Sequence, residues 1–147
     1  MWDSVEQRII KAIRGLLTGR VNELLGELQF HIPLIEFGDY CGGSVIVPVI
    51  TLASCERTEK ERIILMDAYS LTITFTLPET PESELHCYAY SAVVCKALEE
   101  NPTLNGIADR VGITGKKYVQ PKKVGCGEGR QITISLRVTV ESMRNEE

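Results

Sequence analysis

The sharpest hydrophobic and polar pattern in the chain runs from Tyr69 to Leu98. Leu71, Ile73, Phe75 and Leu77 alternate with Thr72, Thr74 and Thr76, which predicts a half-buried strand with a wet threonine face. The segment Pro78-Glu79-Thr80-Pro81-Glu82-Ser83 then resets the period. Thr80 can cap a helix whose first residue is Pro81, and Glu82 and Glu84 suit the positive end of the helix dipole. Leu85, Tyr88, Ala89, Ala92, Val93, Cys95 and Leu98 follow at helical spacing, so the helix is expected to lie back on the strand. A second strand is equally clear: Ile132, Ile134, Leu136, Val138 and Val140 alternate with Thr133, Ser135, Arg137 and Thr139, ahead of a polar tail from Glu141 to Glu147.

At the other end, Ser4-Val5-Glu6-Gln7 has the form of a capping box, and Val5, Ile9, Ile10, Ile13, Leu16 and Leu17 form one apolar stripe. After Thr18-Gly19 a shorter pattern of Val21, Leu24, Leu25 and Leu28 completes a helical arm over residues 1–30, expected to pack on the core or on a neighbouring subunit. His31 to Tyr40 is a connection with a short strand at Leu34 to Phe37, closed by the break Cys41-Gly42-Gly43. The run Val45 to Leu52 is β-rich, with Pro48 marking an edge, a strand end or a bulge. Charged residues Arg57 to Arg62 read as the solvated tip of an antiparallel hairpin, whose long second arm, Ile63 to Leu77, is expected to carry a bend or bulge near Asp67-Ala68. Asn101-Pro102 stops the helix and Leu104 to Ile107 forms a tight turn. Ile107 to Val119 shows no dominant period, and Lys116, Lys117, Lys122 and Lys123 with Gly125, Gly127 and Gly129 read as a basic loop reaching to Arg130. The expected fold is one α+β domain over residues 1–147: a mostly antiparallel sheet of about four strands, an N-terminal helix and one long helix packed on the sheet.

Composition narrows the function classes. A chain of 147 residues buries about 70 per cent of its unfolded surface and supports one core. With 44% hydrophobic and 24% charged residues it is not disordered, and no apolar run reaches the roughly 20 residues of a membrane span. The first residues show neither a signal peptide nor a lipidation pattern, so the cytosol is the expected compartment. A net charge of −4 argues against a dedicated nucleic-acid site. The five cysteines are odd in number and include no Cys-x-x-Cys pair, so reduced, mostly buried thiols are expected rather than zinc or a disulfide framework.

Candidate chemistry is sparse. The loop Val124 to Arg130 is rich in glycine, but a phosphate cradle needs a helix after it, whereas here a strand follows. Cys126 has Lys123 and Arg130 nearby in sequence and no histidine to act as base. His86 and Cys87 are helical neighbours that point about 100° apart, and His31 is isolated. The carboxylates Glu79, Glu82, Glu84, Glu99 and Glu100 read as solvated helix-end charge. No catalytic residue, cofactor or metal ligand is therefore assigned, and the chain is not expected to be an enzyme.

The order helix, hairpin, long strand, acidic turn, helix, basic loop and terminal strand resembles the tail terminator and tail-completion (head-tail joining) proteins of long-tailed bacteriophages and prophages. The likeness is carried by Tyr69-Ser70-Leu71-Thr72-Ile73-Thr74-Phe75-Thr76, by the helix through Ala97-Leu98-Glu99, and by Arg130-Gln131-Ile132-Thr133-Ile134-Ser135-Leu136-Arg137-Val138. It is a likeness of pattern over most of the chain, without a diagnostic motif. The resemblance implies a structural virion protein, working in the bacterial cytoplasm during assembly and then in the virion tail. Its expected partners are itself, as a hexameric ring, the tail tube protein and the head-tail connector. Lys116, Lys117, Lys122, Lys123 and Arg130 are the expected contacts to a neighbouring subunit or partner. The alternative is a free-standing ferredoxin-like α+β module that binds a small ligand or RNA. Against RNA, the outer strand faces carry threonine and serine instead of the aromatic pair that stacks bases.

Overall fold

In the computed structural model, residues 4–28, 34–38, 45–78, 82–120 and 129–143 are described. The chain opens with α1 (Val5–Thr18), started by the capping box that the sequence predicts: the Gln7 N–H donates to Ser4 Oγ at 3.1 Å and the Ser4 N–H to Gln7 Oε1 at 2.8 Å. Ile9, Ile13 and Leu17 bury its inner stripe. Gly19 breaks the helix, and α2 (Arg20–Leu28) then buries Val21, Leu24 and Leu25. These stripes are spent within the subunit. Two short strands, β1 (Glu36–Phe37) and β2 (Val45–Ile46), pair in parallel. The Asn22 side-chain amide holds β1, donating to the Phe37 carbonyl at 2.9 Å and accepting from the Phe37 N–H at 2.8 Å.

The main sheet contains β3 (Val49–Glu59), β4 (Ile64–Leu77), β5 (Arg110–Val119) and β6 (Arg130–Met143), in the order β3-β4-β6-β5 and antiparallel throughout. Helix α3 (Ser83–Glu100) connects β4 to β5. Leu71, Ile73, Phe75 and Leu77 of β4 and Ile132, Ile134, Leu136 and Val138 of β6 are buried beneath the helices, as the alternation predicts. Burial of these apolar side chains, each worth about 1.5–3 kcal/mol, is the main force closing the two layers. The opposite face carries Thr72, Thr74, Thr133 and Ser135, all partly exposed, with the Thr74 and Thr133 hydroxyls bonded across the strands at 3.2 Å. The α+β class, the single domain and the antiparallel sheet all agree with the sequence reading.

Several local expectations differ from the structure. The charged residues Arg57 to Glu59 lie within β3, not at a loop tip, because both arms of the hairpin keep pairing as far as Glu59 and Leu65. The bulge expected near Asp67-Ala68 lies instead on the partner strand, between Leu52 and Ser54, while β4 pairs with β6 without a break. Asp67 looks like an interruption in sequence only because it sits on the core face, opposite Arg57. The expected polar tail from Glu141 still pairs in β6 as far as Met143. Helix α3 begins at Ser83 with Glu82 in the capping position and no side-chain cap; Thr80 and Pro81 lie outside the described residues. Its buried residues include Cys87, Tyr90, Val93, Val94, Cys95, Ala97 and Leu98, so Val93, Cys95 and Leu98 lie inside as expected, whereas Ala92, Leu85 and Tyr88, also expected to face the strand, are exposed, the last two at 65% and 49%. Apolar residues occur on nearly every side of this helix, so periodicity alone did not select the inner face.

Candidate functional site

The contact residues expected at one loop are divided by the structure. Lys116 and Lys117 are exposed strand residues of β5, and Arg130 is the half-buried first residue of β6, opposite Leu77. Lys122 and Lys123 lie outside the described residues, as do His31, Cys41 and Cys126. β5 escaped sequence detection because its ladder with β6 is irregular between Ile113 and Gly115. Val111, Ile113, Lys116 and Tyr118 share the helix-covered side, so the extra residue, Thr114, shifts the alternation by one halfway along.

The described part of the surface around β5 is basic and apolar. Lys117 faces the threonine side through its pairing with Thr133, while Lys116 points towards α3, where its ammonium group approaches Cys95. Tyr118 donates its hydroxyl to Ser91 Oγ at 2.8 Å and meets the Tyr88 ring edge-on, with centroids 5.4 Å apart. Leu85 and Tyr88 on α3 are exposed at this pair, and Val119 at the end of β5 is exposed on the opposite, threonine-bearing face. Exposed hydrophobic groups gathered at an edge strand mark an interaction surface more readily than isolated ones do. Across the sheet, Val49 at the start of β3 is 57% exposed. Composition could not distinguish these residues from core, since each lies in a β-rich or helical apolar run.

Two further features line the helix-covered side. Near the hairpin end, Arg57 donates to both carboxylate oxygens of Asp67, at 2.7 and 2.9 Å, and Tyr69 donates to Glu6 at 3.3 Å. The guanidinium holds the Asp67 carboxyl below the usual aspartate range, and burial pushes the Tyr69 phenol up. A groove of about 520 Å³ between α1 and the turn after α3 is floored by Ala12, Leu16, Leu104 and Ile107, with Arg8 and Lys11 on its rim.

The arrangement offers little to covalent chemistry. Burial raises the Cys87 and Cys95 thiols away from the reactive thiolate, and local desolvation does the same to the exposed Cys55. The His86 imidazole is 3.7 Å from Glu82, its own helical neighbour. Among the described residues no three His, Cys, Asp or Glu side chains form a group able to hold a metal ion, and no helix is long and apolar enough to cross a membrane. The sequence matches no protein-family model and no curated protein.

Proposed function

We propose that the protein is a structural component of a phage or prophage tail, which self-assembles as a ring at the end of the tail tube, stops its growth and presents a surface to the head connector. The observation that supports this reading best is the one-sided coverage of the sheet. Helices pack on the face of Leu71 and Leu136, leaving a hydroxyl-rich face and two edge strands without a partner among the described residues. Native proteins usually cover or shorten exposed edges, so two of them, eleven and ten residues long, favour a protein that completes itself by assembly. The basic residues Lys116 and Lys117 stand on one of those edges in a chain whose net charge is −4, so contact with an acidic neighbour is electrostatically favourable. The alternative, a ferredoxin-like ligand or RNA module, draws less support. The described elements do not follow the β-α-β-β-α-β order, and among the described residues the open face carries no aromatic pair for stacking bases.

Deletion of the coding gene in its phage, followed by electron microscopy of the lysate, tests the reading. Tails of uncontrolled length, or full-length tails not joined to heads, are expected. Normal virions would overturn it, as would a coding gene with no capsid, connector or tail-tube genes beside it.

A further inference from the structure

The two sheet edges differ in a way that makes them complementary. β3 and β5 are separated by three antiparallel steps, so they run in opposite directions, and a second copy placed beside the sheet presents its β3 antiparallel to β5. At one end of β5 the Val111 N–H is already taken by the Pro102 carbonyl at 2.8 Å, which leaves Gly112 to Val119 as the part of this edge without a strand partner among the described residues. β5 contains Arg110, Lys116 and Lys117 and no acidic residue. β3 contains Glu56 and Glu59, and its Arg57 is engaged by Asp67 within the subunit.

We propose that β5 of one copy adds antiparallel to β3 of a second copy, with Val119 opposite Val49 and Gly112 opposite Glu56. The register follows from three independent features. Val119 and Val49 are both exposed on the threonine-bearing face, and this alignment lets each cover the other. Each edge carries one extra residue, between Leu52 and Ser54 on β3 and between Ile113 and Gly115 on β5. In this alignment the irregular segments oppose one another, with Gly115 against Ala53 and Thr114 against Ser54. The ladder therefore stays in phase on both sides: Tyr118 and Lys116 meet Ile50 and Leu52 before it, and Ile113 meets Cys55 after it, all on the helix-covered side. A regular strand would lose phase at the bulge. Bulges and lysines that defend an edge against indiscriminate pairing thus leave it open to a partner with the matching irregularity. Finally, Arg110 falls diagonal to Glu56, within reach of an opposite-charge pair across the seam.

The same placement brings the Leu85, Tyr88 and Tyr118 flank beside Ile50 and Leu52 of the second copy, which are only partly covered in their own subunit. The contact is heterologous: every copy keeps one β3 edge and one β5 edge, so addition continues until the assembly closes. This inference rests on the self-association in the function proposed above and not on its role in a tail.

Two added-cysteine variants test it, Val49→Cys and Val119→Cys, both at exposed positions and both carrying Cys55→Ser, which removes the exposed native thiol of the proposed seam. Treated with a short bis-maleimide and run on a denaturing gel, the mixture of the two should give a cross-linked dimer well above the wild-type background, while either variant alone should not. The double variant should give a ladder. Cross-linking of Val119→Cys with itself would mean a two-fold contact and would overturn the pairing, as would a protein that is monomeric by light scattering at tens of micromolar. Arg110→Glu and Glu56→Arg should each weaken association about two- to fivefold and restore it when combined. Self-association that persists with neither edge cross-linked would overturn the edge pairing and leave the ring reading standing. Edge cross-linking in a protein whose deletion leaves virions normal would do the reverse.

Discussion

The Tyr90 hydroxyl serves Ile35 as a strand neighbour would, accepting from its N–H at 2.7 Å and donating to its carbonyl at 2.5 Å. Ile35 begins the segment leading into β1, and Tyr90 is buried on α3 with its ring against Phe37 and Phe75, at centroid distances of 5.7 and 5.9 Å. One side chain therefore ties the helix layer to a stretch of backbone that lacks a full sheet of its own. Burial pushes its phenol up to about 12, so the donor stays protonated well into the alkaline range. Tyr90→Phe keeps the ring packing but leaves both backbone groups of Ile35 without this partner. A loss of about 1–3 kcal/mol is expected by denaturant titration, with Tyr90→Ala costing more, about 3–5 kcal/mol.

The register of β6 is tested by adjacent substitutions. Leu136 is 2% exposed and Ser135 lies on the partly open face. Leu136→Ala should cost about 2–5 kcal/mol. Leu136→Asp should not fold, whereas Ser135→Asp should keep a cooperative melt close to wild type. Equal tolerance of the two aspartates would contradict the register.

The pair Arg57 and Asp67 predicts a pH dependence. Asp67 holds its proton less readily when folded than when unfolded, because the guanidinium favours the carboxylate. The pair's contribution is therefore fully present above the ordinary aspartate value of about 3.9 and is lost as pH falls through the lower folded value. Thermal melts of wild type and Arg57→Ala should differ at about pH 7 and converge at about pH 2. A constant difference across that range would show that Arg57 acts through packing.

Thiol accessibility gives a fourth check. Cys55 is exposed, while Cys87 and Cys95 are buried in the contact between α3 and the sheet. N-Ethylmaleimide should label Cys55 in the folded, unassembled protein and reach Cys87 and Cys95 only after guanidinium unfolding, as read by peptide mass spectrometry. Labelling of Cys95 in the folded state would mean that α3 leaves the sheet more readily than its packing implies.

Wherever one face of an element is buried and the other wet, the chain announces it. Leu71 to Leu77 against Thr72 to Thr76, and Ile132 to Val138 against Thr133 to Arg137, specify two strands and their core faces by period alone. Ser4 and Gln7 likewise specify a helix start through a bond pattern local in sequence, and Asn105 and Gly106 a turn through their tolerance of positive φ, here 62° and 88°. Three things were settled only by the tertiary structure. The inner face of α3 was chosen by which apolar side met the sheet, since Leu85 and Tyr88 are as hydrophobic as Cys87 and Tyr90. β5 was hidden by Thr114, a single inserted residue that reverses the alternation, and its strand character shows only in its pairing with β6. Asp67 looked like a break in β4 because its charge is compensated from Arg57, ten residues earlier on the facing strand. Local periodicity records which side of an element is dry; which partner dries it, and what answers a buried charge, depends on residues distant in sequence and brought together only by the fold.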